Sequence, residues 1–177
     1  AALNAIGTVA SVLFLSFEEV GDVLAPYIKQ CLQHPQMEVR GAACTCLGSL
    51  CSASVGFIFD DAKEYFQLLV VVTRDSSSMI QSAALFDINL LLEKMSPEEV
   101  RPFVTDLLTV AINTATTSPE NDVRDASLSI IATLVYLSGP AIAPYSQTLL
   151  EITNRLLAQP DTEDASILQK GRAAEIL

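Results

Sequence analysis

Apolar positions in this chain recur every three and four residues. From Glu38, the set Val39, Ala42, Ala43, Cys46, Leu47 and Leu50 marks one helix face. From Asp122, the set Val123, Ala126, Ile130, Leu134 and Leu137 does the same. Turn-forming clusters punctuate the pattern: His34-Pro35-Gln36, Asp75 to Ser78, Thr116 to Asn121 and Gln159 to Thr162. No alternation of period two is bounded by hairpin turns. Leu68 to Thr73 is rich in β-branched residues, but its place in the wider pattern assigns it to a helix. The spacing predicts helices over 1–16, 18–33, 38–53, 58–74, 78–95, 97–115, 122–138, 141–158 and 165–177.

Two markers recur along these helices. The first is Leu24-Ala-Pro-Tyr-Ile28, Val100-Arg-Pro-Phe-Val104 and Ile142-Ala-Pro-Tyr-Ser146, with a degenerate copy at Lys63 to Leu69. Its aromatic position falls at Tyr27, Tyr65, Phe103 and Tyr145, giving intervals of 38, 38 and 42. The second is Glu38-Val-Arg-Gly-Ala-Ala43, Met79-Ile-Gln-Ser-Ala-Ala84 and Asp122-Val-Arg-Asp-Ala126, with a late relative at Ser166 to Lys170. Taking Val39, Ile80, Val123 and Ile167 as equivalent gives intervals of 41, 43 and 44. A period near 40 shared by both markers predicts an all-α fold. It is an α-solenoid, or superhelix, of antiparallel outer (A) and inner (B) helices, because one such pair cannot bury its apolar face alone. The expected units are a partial repeat at 1–17, repeats at 18–55, 56–96 and 97–139, and a last repeat at 140–177 that is possibly truncated. The first residue is Ala and both ends fall inside helical patterns, so the chain reads as one segment of a longer protein. Pro26, Pro102 and Pro144 are expected to kink the A helices at one register.

These residues resemble a HEAT repeat. The clearest copy runs Leu24-Ala-Pro-Tyr-Ile-Lys-Gln-Cys-Leu32, Pro35, Glu38-Val-Arg-Gly-Ala-Ala43 and Leu47-Gly48-Ser49-Leu50. A narrower resemblance, to the importin-β (karyopherin-β) nuclear transport receptors, rests on Ile6-Gly-Thr-Val-Ala-Ser-Val12 before Glu18-Glu19, on Phe59 to Leu69 and on Phe103 to Leu108. It implies a protein-binding solenoid that carries cargo through nuclear pores, moving between cytoplasm and nucleus. It also implies Ran GTPase and Phe-Gly nucleoporins as partners, without placing either on this segment. The alternative is a HEAT scaffold outside transport, at a phosphatase, a vesicle coat or chromatin.

Charge narrows the partners. Ten basic residues stand against 21 acidic ones, a net of −11. A surface so acidic disfavours nucleic acid and anionic membranes and favours basic protein cargo. The apolar runs, such as Leu68 to Val72, fall short of the roughly 20 residues that span a bilayer, so no membrane insertion is expected. The four cysteines, Cys31, Cys44, Cys46 and Cys51, form no CxxC and read as buried thiols. His34 is the single histidine. No nucleophile–base pair, Gly-rich phosphate loop or metal-ligand cluster stands out, so no catalytic residue, cofactor or metal is expected and the chain does not read as an enzyme.

The candidate cargo residues lie on the B helices. Asp87 sits in the apolar run Leu85-Phe-Asp-Ile-Asn-Leu-Leu-Leu92, where an ionised carboxylate needs a partner or an edge. Phe86, Asn89 and Glu93 share another face at helical spacing and are expected to face the concave lumen, with Asp87 on its flank. Asp125 and Ser129 are expected to continue that surface. Glu38 and Asp122 are expected to cap B helices, and Arg40 and Arg124 to form a ladder with acids or amides of the adjacent repeat, as the HEAT resemblance implies. Gln81 replaces the arginine in the intervening copy.

Overall fold

The computed structural model describes residues 21–54, 56–158 and 164–177. The helix expected over 1–16, Glu18 and Glu19 lie outside them. The described residues contain helices and no strand. They divide into two compact units, one ending at Lys94 and the other beginning at Met95. In a stack of hairpins each helix touches only near neighbours, so a pair of hairpins is already a compact body.

In the first unit, α1 (Gly21–Leu32) pairs with α2 (Met37–Ser52). A short α3 (Gly56–Asp60) leads into α4 (Ala62–Val72), which pairs with α5 (Ser78–Lys94). The hairpins stack α1 on α4 and, more extensively, α2 on α5. In the second unit, α6 (Pro97–Val100) and a 3-10 turn (Arg101–Phe103) precede α7 (Val104–Thr117), which packs on α8 (Asn121–Ser138). Another 3-10 segment (Gly139–Tyr145) leads into α9 (Ser146–Leu157), which packs on α10 (Asp164–Ile176), and α10 packs on α8.

Burial defines the repeat more sharply than residue identity does. In α2 the residues Ala43, Cys44, Cys46, Leu47 and Leu50 are fully buried. Shifted by 41, they become Ala84, Leu85, Asp87, Ile88 and Leu91; shifted by 84, they become Ser127, Leu128, Ile130, Ile131 and Leu134, all buried. The late relative does not follow. Ile167 is 56% exposed, and the buried Gln169, Ala173 and Ile176 repeat the spacing of Val123, Ser127 and Ile130 instead.

The A helices revise the first marker. Leu24, Ala25, Ile28, Cys31 and Leu32 are buried in α1, and the same spacing returns 41 residues on at Tyr65, Phe66, Leu69, Val72 and Thr73. Tyr65 therefore takes the place of Leu24; Tyr27, its expected counterpart, is 48% exposed whereas Tyr65 is fully buried. Pro26 and Pro102 do share a register, since a shift of 76 takes the buried Leu24, Ile28, Cys31 and Leu32 to the buried Val100, Val104, Leu107 and Leu108, but the local structure differs. Pro26 lies within α1, six residues before its end, whereas Pro102 and Pro144 lie in the 3-10 segments ahead of α7 and α9. A missing N–H and a clash with the carbonyl four residues back are relieved there by the tighter turn. The α3–α4 break at Asp61 contains no proline, so the leading segment belongs to the architecture.

One window within 121–157 reaches a mean hydropathy of 1.7, enough by composition to cross a bilayer and against the sequence expectation. The 3-10 segment splits it, and Val123, Leu128, Ile130, Ile131 and Leu134 of α8 are at most 1% exposed. The buried part, 33% of the window, packs α8 against α7 and α10.

Candidate protein-binding surfaces

The loops entering α2, α5 and α8 are each tied down by one side chain. Arg40 Nη1 donates to the carbonyls of His34 and Pro35 at 2.8 and 2.9 Å. Arg124 Nη1 donates at the same offsets to Ser118 and Pro119, both at 2.9 Å. Gln81 holds the equivalent carbonyl of Asp75 at 2.5 Å. The glutamine thus keeps the local tie while losing the charge.

The cross-hairpin partners differ. Arg40 Nε reaches Asp75 Oδ2 at 2.6 Å, so the first rung of the expected ladder forms. The Asp75 side chain is only 2% exposed. Arg40 holds its carboxyl below the usual carboxylate range, against the opposing effect of burial. Arg124 instead turns to Asn121 of its own helix, and Gln169 Nε2 of α10 reaches Asn121 at 3.5 Å. Glu38 and Asp122 are not caps. The N-cap positions are Gln36 and Glu120, neither with a side-chain cap bond, and the two acids lie exposed in the first turn. There they complement the helix dipole only.

The expected lumen residues separate. Phe86 is 56% exposed and Glu93 is exposed. Asn89 is buried and donates through Nδ2 to Glu93 Oε1 at 2.7 Å. Asp87 is not on an exposed flank: it is 2% exposed, and its Oδ2 has no hydrogen-bond partner. Burial raises its carboxyl well above the usual range. Its register explains the depth, because Cys46 and Ile130, buried too, occupy the equivalent sites in α2 and α8.

In the second unit Asp125 is half-buried, with Arg172 Nε at 3.9 Å. Neither Asp125 Oδ1 nor Arg172 Nε has a hydrogen-bond partner. Burial raises the Asp125 carboxyl, with Arg172 opposing. Ser129 Oγ donates to the Asp125 carbonyl at 3.1 Å, so its hydroxyl is turned to its own helix.

The sequence reading missed a groove between α2 and α5, with a volume of about 560 Å³. Thr45, Gly48, Ser49 and Ser52 line one wall, and Phe86 and Asp87 line the other. A Cβ at Gly48 would stand 2.6 Å from Asp87 Oδ1, so only glycine lets the carboxyl come this close. The available signal was the run of small residues at helical spacing, 45, 48, 49 and 52.

Stacked helical hairpins with a recurrent buried face define an all-α solenoid. Residues 24–54, which span α1 and α2, match the family model of the HEAT repeat. The fold is also similar to that of a chain in the solved complex in which Kap95p binding induces the switch loops of RanGDP to adopt the GTP-bound conformation. The TM-score is 0.70 at 17% sequence identity, over 99% of this chain and 22% of that one. No curated protein matches the sequence. The chain thus carries a match to the HEAT repeat at residues 24–54 and a fold similar to that of the chain in that complex, of whose length it spans about a fifth.

Proposed function

We propose that this solenoid is a protein-binding segment of an importin-β-like nuclear transport receptor, without catalytic activity of its own. It takes basic protein cargo, moves between cytoplasm and nucleus, and releases cargo under Ran-GTP control. The cargo-contacting residues in this reading are Phe86, Asp87, Asn89, Glu93, Asp125 and Ser129, and Phe-Gly nucleoporins are partners of the receptor as a whole. The observation that carries the reading is the net charge of −11 on a fold similar, over nearly its whole length, to a karyopherin chain. Such a surface draws basic polypeptides and speeds their encounter.

The test immobilises the protein with a lysine-rich reporter bound and adds Ran-GTP or Ran-GDP. Release by the GTP form alone is the expected result. Retention whatever the nucleotide points to a HEAT scaffold outside transport, at a phosphatase, a vesicle coat or chromatin. A reporter that never binds overturns both.

A further inference from the structure

A hollow of about 220 Å³ opens in the second unit where the α7–α8 loop meets the end of α9. Ala115, Ile152 and Leu156 give it apolar lining, and Ser118, Arg124 and Arg155 supply polar groups. Among the described residues no acid lines it, in a chain with 21 of them. The first unit has the same hollow 84 positions earlier. Its lining residues His34, Arg40, Leu68, Val71 and Val72 become Ser118, Arg124, Ile152, Arg155 and Leu156. The loops match as well. Each arginine ties two carbonyls through Nη1 at the same offsets. The Gln36 N–H donates to His34 Nδ1 at 3.1 Å, and the Glu120 N–H donates to Ser118 Oγ at 3.2 Å.

The charges do not match. In the first hollow Arg40 Nε donates to Asp75 Oδ2 at 2.6 Å. In the second, Arg124 Nε has no partner among the described residues. The sequence counterpart of Asp75 is Gln159, which lies outside the described residues and is no acid. Val71 has been replaced by Arg155, whose guanidinium has no partner among the described residues either. Glu151, four residues back and placed to pair with it, accepts instead from Gln147 Nε2 at 2.8 Å. Ser118 Oγ, having accepted from Glu120, keeps its hydrogen to donate. The second hollow is therefore the first with its carboxylate removed and a second cation added.

We propose that this hollow seats the phosphate of a phosphorylated serine or threonine on a partner polypeptide, one oxygen on Arg124 Nε as Asp75 stands on Arg40, the others on the Arg155 guanidinium and Ser118 Oγ. Two uncompensated guanidiniums match a dianion better than a single carboxylate, and their planar forks suit phosphate. The C-terminal ends of α7 and α9 place partial negative charge nearby. Those of α1 and α4 do the same around Asp75, and one arginine still holds that carboxyl below its usual range. The net charge of the chain repels an extended acidic run. Its field is screened beyond about 8 Å at physiological salt, so the two arginines decide for one compact group. The proposal is independent of the basic-cargo reading, since it concerns another surface and the opposite charge.

The test titrates an end-capped, otherwise uncharged phosphoserine peptide into the 177-residue chain by calorimetry, beside its glutamate and serine counterparts and inorganic phosphate. The phosphopeptide is expected to bind more tightly than the glutamate peptide, and the serine peptide not to bind. Arg155→Val restores the residue type of the first hollow at an exposed site. It is expected to weaken the phosphopeptide about tenfold, the scale of one hydrogen bond to a charged group. Arg124→Gln, which keeps the loop tie as Gln81 does, is expected to weaken it at least as much. Arg101→Gln removes an exposed arginine outside the hollow and is expected to change nothing. A phosphopeptide that fails to bind at low salt overturns the proposal. Equal weakening by Arg101→Gln and Arg155→Val overturns it too, because attraction to bulk charge would then suffice. A glutamate peptide that binds as tightly overturns the assignment to phosphate, and inorganic phosphate that binds as tightly overturns the assignment to a polypeptide. Should Arg124→Gln not fold, Arg155→Val decides alone. The basic-cargo reading stands or falls by the Ran test, whatever this titration gives.

Discussion

The two units share a skeleton and differ in how their hairpins are joined. In the first, charged groups cross between hairpins at short range: Arg40 to Asp75 at 2.6 Å, and Lys29 to Asp61 and Glu64, both at 2.6 Å. In the second, Arg124 bonds to its own loop and Asn121, Gln169 reaches Asn121 at 3.5 Å and Arg172 stands 3.9 Å from Asp125. The apolar register is common, because it defines the stack. The polar wiring is free to vary, because the hydrophobic seam already supplies most of the cohesion.

The largest expected effect tests the shared part. Leu47 and Ile131 are equivalent at a shift of 84, and both are fully buried. Leu47→Ala and Ile131→Ala are each expected to cost about 2–5 kcal/mol in urea unfolding. A cost below about 1 kcal/mol at either position alone breaks the equivalence of the two registers.

The next effect tests the wiring. Arg40→Gln keeps a donor for the loop carbonyls, as Gln81 does naturally, but strands the buried Asp75 carboxylate. Arg124→Gln strands no acid. Thermal unfolding is expected to show the larger loss for Arg40→Gln, and equal losses would erase the contrast between the units. The pH dependence has a definite sign. Asp75 has a lowered carboxyl pKa in the folded state, so its pairing stabilises above the unfolded-state value near 4 and is lost as pH falls through the lower folded value. Arg40→Gln is expected to flatten that acid limb.

Asp87 works in the opposite direction. Its folded-state pKa is raised, so it favours folding most fully below the unfolded value near 4, and stability is lost as pH rises towards the folded value. Asp87→Asn is expected to stabilise the chain at neutral pH, because the amide keeps the polar group but needs no proton to stay neutral, and each pKa unit of the raised carboxyl corresponds to about 1.4 kcal/mol. The gain should vanish in acid. A variant no more stable than wild type at pH 7 would mean that Asp87 finds a partner in solution.

The helices, their pairing and the B-helix face were legible because a period of 3.6 leaves its mark in every turn. The A-helix register was not. Proline marks it at Pro26 and Pro102, but the copy at Tyr65 has no proline and its aromatic residue falls at another position, because burial is decided by which side chain meets the neighbouring hairpin. That put Tyr65, and not Tyr27, in the core. For Asp87, the apolar run around it signalled an oddity, but its depth follows from alignment with Cys46 and Ile130. The groove was hidden because Thr45, Gly48, Ser49 and Ser52 belong to no motif; a helix of small residues shows its hollow only when its neighbour is in place.

The smallest effect belongs to Lys29. Its ammonium bridges Asp61 and Glu64 and lies 5.3 Å from the centroid of the Tyr65 ring. Burial opposes the charge, yet the two carboxylates outweigh it and raise the lysine above its usual range. A raised lysine favours folding below its unfolded value and loses that contribution only as pH climbs through the higher folded one. Across neutral pH the bridge is therefore constant. The acids are 45% and 57% exposed, so water and salt screen the pair. Lys29→Met keeps the apolar stem over Tyr65 and removes the charge. It is expected to cost less than about 1 kcal/mol at low salt and to approach zero at high salt. A loss that persists at high salt would mean that the stem and ring, rather than the ion pairs, join α1 to α4, and the contrast between the units would then rest on Arg40 alone.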